Sequence, residues 1–274
     1  MEQNYTHYEE VWKQSGDQTG QRIYISLEQF TDSCWEKKME ALEKCRQVVA
    51  DIPGEYETQL EKMEYLYDYV CDNVEYTLSD QKADESYFYD AVCNGKSLCD
   101  GYSNMLSLLF RLIGVECSEV MRKGAEGQSG HTWVAAKLDG QFYNFDATYE
   151  DTGGAATQRR IYFGFSDALL DSDGLAHEEM RAKCTDTSRD YAYTDILVSS
   201  LIDPAAVEQV VALMESRLDM GENATMIGVQ GVVAADQYDR FFALIGDYAT
   251  RSYSIALASW DMKNSTLVEL TLTA

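Results

Sequence analysis

The sequence predicts an α+β protein, and three observations predict it. Between residues 35 and 113 apolar side chains recur at helical spacing. From 115 onward the period shortens to two, as in half-buried strands. Gly, Pro and Asp-Gly punctuate the changes. At 274 residues, 45% hydrophobic and 12% aromatic, the chain can build a sizeable core in one large domain or two modest ones.

Residues 1–22 read as irregular, followed by a short alternating strand at 22–27. The segment 35–54 reads as a helix with Met39, Leu42, Cys45 and Val49 on one face, stopped by Pro53-Gly54. A second helix spans 55–76, where Met63, Leu66, Tyr67, Val70 and Val74 form an amphipathic stripe. A short helix over 86–95 closes at Asn94-Gly95. A third strong helix runs from Cys99 to Ile113, with Met105, Leu108, Leu109 and Leu112 as its stripe and Gly114 as its end. Strands follow at 115–123, 131–138 and 141–149, the last two joined by a tight Asp139-Gly140 turn. Residues 160–170 read as a strand running into a short helix. Past about 190 the composition resets. Asp203-Pro204 opens a helix to about 218, and strand, helix and two closing strands complete a small C-terminal α+β unit. The expected division is an extension at 1–54, a core at 55–190 and the C-terminal unit at 191–274.

A formal net charge of −25 argues against nucleic-acid binding, which needs a basic stripe for phosphates, and against docking on anionic lipid. It favours solubility. The acidic run 171–174 lacks the full EF-hand pattern. Seven scattered cysteines without a CxxC pair make a zinc cage a poor reading, and an odd count leaves at least one thiol free in a monomer. A metal site from Cys93, Cys99, Cys117 and His131 has the wrong spacing, so neither metal nor cofactor is expected.

The chemistry concentrates in three residues. Cys99 falls where a loop becomes a helix. A helix start presents unpaired N–H groups and partial positive charge, which favour thiolate over thiol. His131 is one of three histidines and opens a strand after a Gly-rich loop. Trp133, two residues on, shares its strand face and is placed to shield the imidazole. With Asp139 and Gly140 as the hairpin loop, His131 falls opposite Thr148, and Asp146 lies diagonal to it on the same face. A carboxylate on one ring nitrogen fixes the tautomer and stabilises imidazolium, while the other nitrogen serves the thiol. Cys, His and Asp in that order make a coherent nucleophilic triad.

The run "NGKSLCDGYSNMLSLLFRLIGVECSEV", then "GHTWVAAKLDGQFYNFDATYED", then "IYFGFSD" resembles the transglutaminase-like superfamily, in its bacterial branch, over about residues 55–180. The shared pattern is Cys with Gly-Tyr at the head of a helix, a His-x-Trp strand, and Asp-x-Thr after an aromatic. The resemblance implies a papain-like α+β core, a cysteine-bearing helix packed on an antiparallel sheet. It also implies Cys99 as nucleophile, His131 as general base and acid, and Asp146 as orienting residue. Val134 stands where many relatives have Asn, and Tyr149 where many have Trp. The Cys99 N–H is a candidate oxyanion donor, with Tyr87 or Tyr89 as a second.

The expected function is thiol-dependent acyl transfer on protein or peptide amides, in hydrolytic form as a peptidase or amidase. Cross-linking to an amine is the alternative reading. An inactive module binding a protein or cell-wall partner through the C-terminal unit is a further one. No run of about eighteen apolar residues suggests a membrane span. The resemblance suggests an extracellular or cell-surface location with the leader removed; the polar N-terminus alone allows a cytoplasmic one.

Overall fold

A computed structural model describes residues 8–15, 18–25, 32–77, 87–122, 130–152, 160–170, 182–262 and 265–273. The Gly-rich loop at 123–129 and the acidic run at 171–174 lie outside the described residues. The chain divides into two compact units, Met1–Ile113 and Gly114–Ala274, a different partition from the three segments read in the sequence.

In the first unit, β1 (Tyr8–Ser15) and β2 (Gln18–Ile25) form an antiparallel hairpin in register from Ser15↔Gln18 to Tyr8↔Ile25. The irregular segment expected at 1–22 is thus largely strand, and the strand expected at 22–27 begins earlier. Val11 and Trp12 are neighbours, which breaks the alternation that would have marked β1. Helix α1 (Asp32–Ala50) buries Ala41, Cys45 and Val48, while Met39 stays 39% exposed. Of the face read from hydrophobicity, Cys45 is buried and Leu42 and Val49 are half-buried, while Ala41 and Val48 turn the buried side away from Met39. Helix α2 (Gln59–Asn73) starts at a capping box: Thr58 Oγ1 accepts from Glu61 N–H, and the Glu61 carboxylate accepts from Thr58 N–H. It buries Met63, Leu66, Tyr67 and Val70, the expected stripe.

A short helix α3 (Tyr87–Tyr89) continues into a π turn (Asp90–Asn94) that ends at Gly95 with φ +66°. A side chain there would be strained, and its Cβ would lie 2.9 Å from Asn73 O. Strands β3 (Glu75–Tyr76) and β4 (Lys96–Ser97) pair in parallel. Then α4 (Cys99–Leu112) packs on α1, α2 and α3, burying Tyr102, Met105, Leu106, Leu109 and Phe110.

The second unit opens with an antiparallel sheet in the order β5 (Cys117–Arg122), β6 (His131–Leu138), β7 (Gln141–Phe145), β8 (Phe163–Phe165). The β6–β7 turn has Asp139 at φ +52° and Gly140 at φ +85°, the two left-handed residues a two-residue hairpin wants. Its register, from Leu138↔Gln141 to Val134↔Phe145, is the one counted from the Asp-Gly turn. The strand expected through 149 stops at Phe145, and a short helix α5 (Ala147–Thr152) follows.

The remainder builds a second sheet from β9 (Ile196–Val198), α6 (Pro204–Asp219), β10 (Ala224–Gln230), α7 (Ala235–Tyr248), β11 (Ser254–Met262) and β12 (Ser265–Thr273), with strand order β11-β12-β10-β9. The parallel pair β9–β10 needs a crossover, which α6 supplies. Asp203 caps α6, accepting from Ala205 N–H, with Pro204 at its first position. The two sheets of this unit meet through Ile161, Phe165 and Leu169 against Met226, Met262 and Leu267.

Candidate active site

Cys99 is the first residue of α4 and is partly exposed. Leu98 precedes the helix, and its side chain offers no hydrogen-bonding cap. The helix start therefore keeps its N–H groups at the thiol end without a side-chain acceptor from the cap position. The next residues of the "CDGY" run fix where Cys99 sits. At Gly101 a Cβ would overlap the side chain of Ser97 and lie 2.6 Å from Tyr87 O, so only glycine lets α4 meet that segment. Ser97 Oγ donates to Tyr87 O at 3.1 Å, closing the same contact. Tyr102 is buried, and its hydroxyl donates to Val74 O at 2.5 Å, bolting α4 to the end of α2.

Of the suggested oxyanion donors, Tyr89 donates its hydroxyl to Glu40 at 3.0 Å, and Lys37 lies 5.3 Å from its ring centroid. That phenol is engaged with α1, and the Glu40 hydrogen bond, foremost, holds it above its usual ionisation range. Tyr87 keeps a ring 38% exposed.

In the second unit His131 and Asp146 come together: Nε2 lies 2.5 Å from Oδ2, with the side chains 9% and 2% exposed. A carboxylate only accepts, so Nε2 carries the proton and Nδ1 is the ring nitrogen that Asp146 does not engage. Asp146 does not reach His131 from a continuing strand, as the hairpin count expected. It sits just past β7, where Oδ1 accepts the N–H groups of Thr148 and Tyr149, both at 3.1 Å, at the start of α5. Its own N–H donates to Tyr162 O at 2.9 Å, and its carbonyl accepts from Glu150 N–H. Glu150 Oε2 in turn accepts from Tyr162 N–H at 2.9 Å. The carboxylate is therefore held on both oxygens and through its backbone. Burial, with Asp146 and Glu150 nearby, pushes the Tyr162 phenol far up, so it stays neutral.

Trp133 is buried with Val120, Ala135 and Cys184. Its indole lies 5.9 Å from the imidazole at an interplanar angle of 22°, and Nε1 donates to Asn144 Oδ1 at 2.9 Å. At 2% exposure it acts by packing rather than by offering a surface to substrate. Asn144 was missed in the sequence. Its amide also donates to Phe165 O and Asp167 Oδ1, so one buried side chain ties β7 to β8 and the turn beyond. Tyr149, which stands where many relatives have Trp, stacks on His131 with centroids 4.2 Å apart. Cys99 belongs to the first unit and the His131–Asp146 pair to the second. Among the described residues no group of three His, Cys, Asp or Glu could hold a metal ion, and no helix is long and apolar enough to cross a membrane.

Residues 46–147 match the model of the transglutaminase-like superfamily, well under half of the chain but including Cys99, His131 and Asp146. Over that stretch the chain is similar to a superfamily of cysteine hydrolases and transferases. Among individual relatives, the human kyphoscoliosis peptidase is 28% identical over 139 residues, which cover 46% of this chain and 21% of that protein. The mouse kyphoscoliosis peptidase is 28% identical over 116 residues, covering 38% of this chain and 18% of that protein. The chain thus spans only about a fifth of the relatives it matches. Two solved structures overlap it in part, each at 16% identity: a Cytophaga hutchinsonii protein assigned to the cysteine proteases, over 40% of this chain and 37% of that one with a TM-score of 0.32, and a TGase, over 43% and 34% with a TM-score of 0.35.

Proposed function

We propose that this chain is a thiol-dependent amide hydrolase, a peptidase or amidase, in which Cys99 is the nucleophile, His131 the general base and acid, and Asp146 the residue that orients the imidazole. The observation that carries the reading is the buried His131–Asp146 contact, with the carboxylate pinned by two backbone N–H groups. In this reading His131 takes the thiol proton on Nδ1, and the thiolate attacks the amide carbonyl. The C–N bond breaks as the imidazolium returns that proton to the departing amine, leaving a thioester. Water, deprotonated by the same imidazole, releases the acid and restores the thiol. A peptidase activity agrees with the names of the matched mammalian relatives. A protein amine in place of water gives cross-linking through the same steps, and the triad residues do not choose between the two.

The test is the alkylation rate of each cysteine against pH, by mass spectrometry, in wild type and His131→Ala. Cys99 reacting faster than the other thiols near neutral pH, and losing that advantage without His131, supports the reading. Equal rates in both proteins overturn it and leave a binding module that acts through residues 191–274. Peptide substrates with and without an amine acceptor then separate hydrolysis from transfer. Asp146→Asn is expected to lower turnover by about 10⁴-fold, because the amide favours the wrong imidazole tautomer.

A further inference from the structure

We propose that Tyr149 is a positioning residue that clamps the His131 imidazole onto Asp146. The inference rests on the catalytic reading of that pair. Tyr149 touches both members independently. Its N–H donates to Asp146 Oδ1 at 3.1 Å. Its ring lies over the imidazole at 4.2 Å between centroids, 12° from parallel. The ring is itself backed by Tyr162, at 5.6 Å and 59°, whose carbonyl receives the Asp146 N–H. Carboxylate, phenol ring and the 162 backbone thus close a circuit around the imidazole.

Two consequences follow from the stack. A ring 4.2 Å away leaves the imidazole no room to tilt on that side, so Nε2 stays on Asp146 while the proton moves at Nδ1. The π face also attracts a cationic partner, so it favours imidazolium over imidazole. Tyr149 is 40% exposed where His131 is 8% exposed, so the phenol ring takes up surface that the imidazole would otherwise show to water. The ionisable groups around the imidazole include the Asp146 carboxylate, the Tyr149 phenol and Arg122, its cross-strand partner on β5; Glu150 and Tyr162 stand behind Tyr149. Removing the hydroxyl alone keeps the stack, and removing the ring does not.

The experiment is an NMR titration of His131 in the full chain, assigned against His131→Gln, for wild type, Tyr149→Phe and Tyr149→Leu. We expect the Phe variant to titrate as wild type. The Leu variant should show a midpoint lower by about half to one pH unit, a three- to tenfold loss of proton affinity. A Leu variant that titrates as wild type overturns the clamp. If that variant does not fold, the wild-type spectrum still decides. A ring at this distance shifts the imidazole C–H resonances upfield, and unshifted resonances in the folded protein also overturn it. The result is independent of the catalytic reading, which fails instead if Cys99 alkylates equally with and without His131.

Discussion

At Asn144 one amide serves three partners, and its loss tests how the β6 histidine is held. The Trp133 N–H has Asn144 Oδ1 as acceptor inside a wall of Val120, Ala135 and Cys184, and Asn144 is fully buried. Asn144→Leu strands that donor, and it takes a donor from Asp167. An unsatisfied buried group costs about 1–3 kcal/mol, and urea denaturation should show a loss of that size. Trp133→Phe in the same background should recover part of it, because the orphaned N–H is then gone. Cys45 gives a second residue-scale test. It has no exposure, and burial, aided by the Cys93 thiol, pushes its thiol up to about 12. An ordinary thiol ionises near 8.5, so native Cys45 at pH 8 should alkylate on the order of 10³-fold more slowly than the same cysteine in denatured chain. The sign for stability is fixed too. Below about pH 8.5 both states hold the proton and the contribution is complete; as pH rises toward 12 only the folded state holds it, and stability falls. A Cys45 that reacts at the denatured rate under native conditions contradicts this burial.

At the scale of elements, the start of α4 depends on a missing side chain. Gly101→Ala would drive a methyl into Ser97 and against Tyr87 O, which is backbone and cannot swing aside. Overpacking of this kind costs about 1–3 kcal/mol, and thermal unfolding should show it, whereas alanine at Gly54, where nothing lies within 4 Å, should be tolerated. The capping box of α2 supplies a pH test. Hydrogen bonds from Thr58, side chain first, hold Glu61 below the usual carboxylate range. A lowered folded value means the contribution is present above the ordinary carboxylate range and is lost as pH falls through the folded value. The difference in melting temperature between wild type and Glu61→Ala should therefore shrink on acidification; a difference constant down to strong acid would contradict the box. These elements also show what was legible in the sequence. The α2 stripe and the Asp139-Gly140 register were readable because periodicity and turn chemistry are local. Of the Ala41–Cys45–Val48 face only Cys45 was, because small residues reach burial through close approach rather than hydrophobicity. Three-residue β9 is too short to carry a period. Cys99, His131 and Asp146 stood out by residue type, yet Asp146 reaches His131 by capping a helix rather than by strand pairing, a choice made by the tertiary contacts at Tyr162.

At the scale of the molecule, the question is whether residues 191–274 pack on the preceding part of the chain or form a separate domain, two readings their sequence leaves open. They fall in the same compact unit as the His131–Asp146 pair. Ile161, Phe165 and Leu169 are buried against Met226, Met262 and Leu267. The segment that shares this core is also the one whose Tyr162 carbonyl holds the Asp146 N–H. A chain ended at residue 190 would therefore expose three large apolar side chains and loosen the support of Asp146 at once. Each such side chain is worth about 1.5–3 kcal/mol of burial, and domains as a whole are stable by only about 5–15 kcal/mol. The shortened chain should bind a hydrophobic dye, associate on gel filtration and lose the His131 titration expected of the full chain. Phe165→Ala in the full chain should weaken the same junction more gently, by about 3–5 kcal/mol, with both sheets of this unit melting in one transition. Were the shortened chain monomeric and well folded, with His131 titrating as before, the C-terminal sheet would be an independent module, and its contacts with residues 160–170 would add nothing to the site.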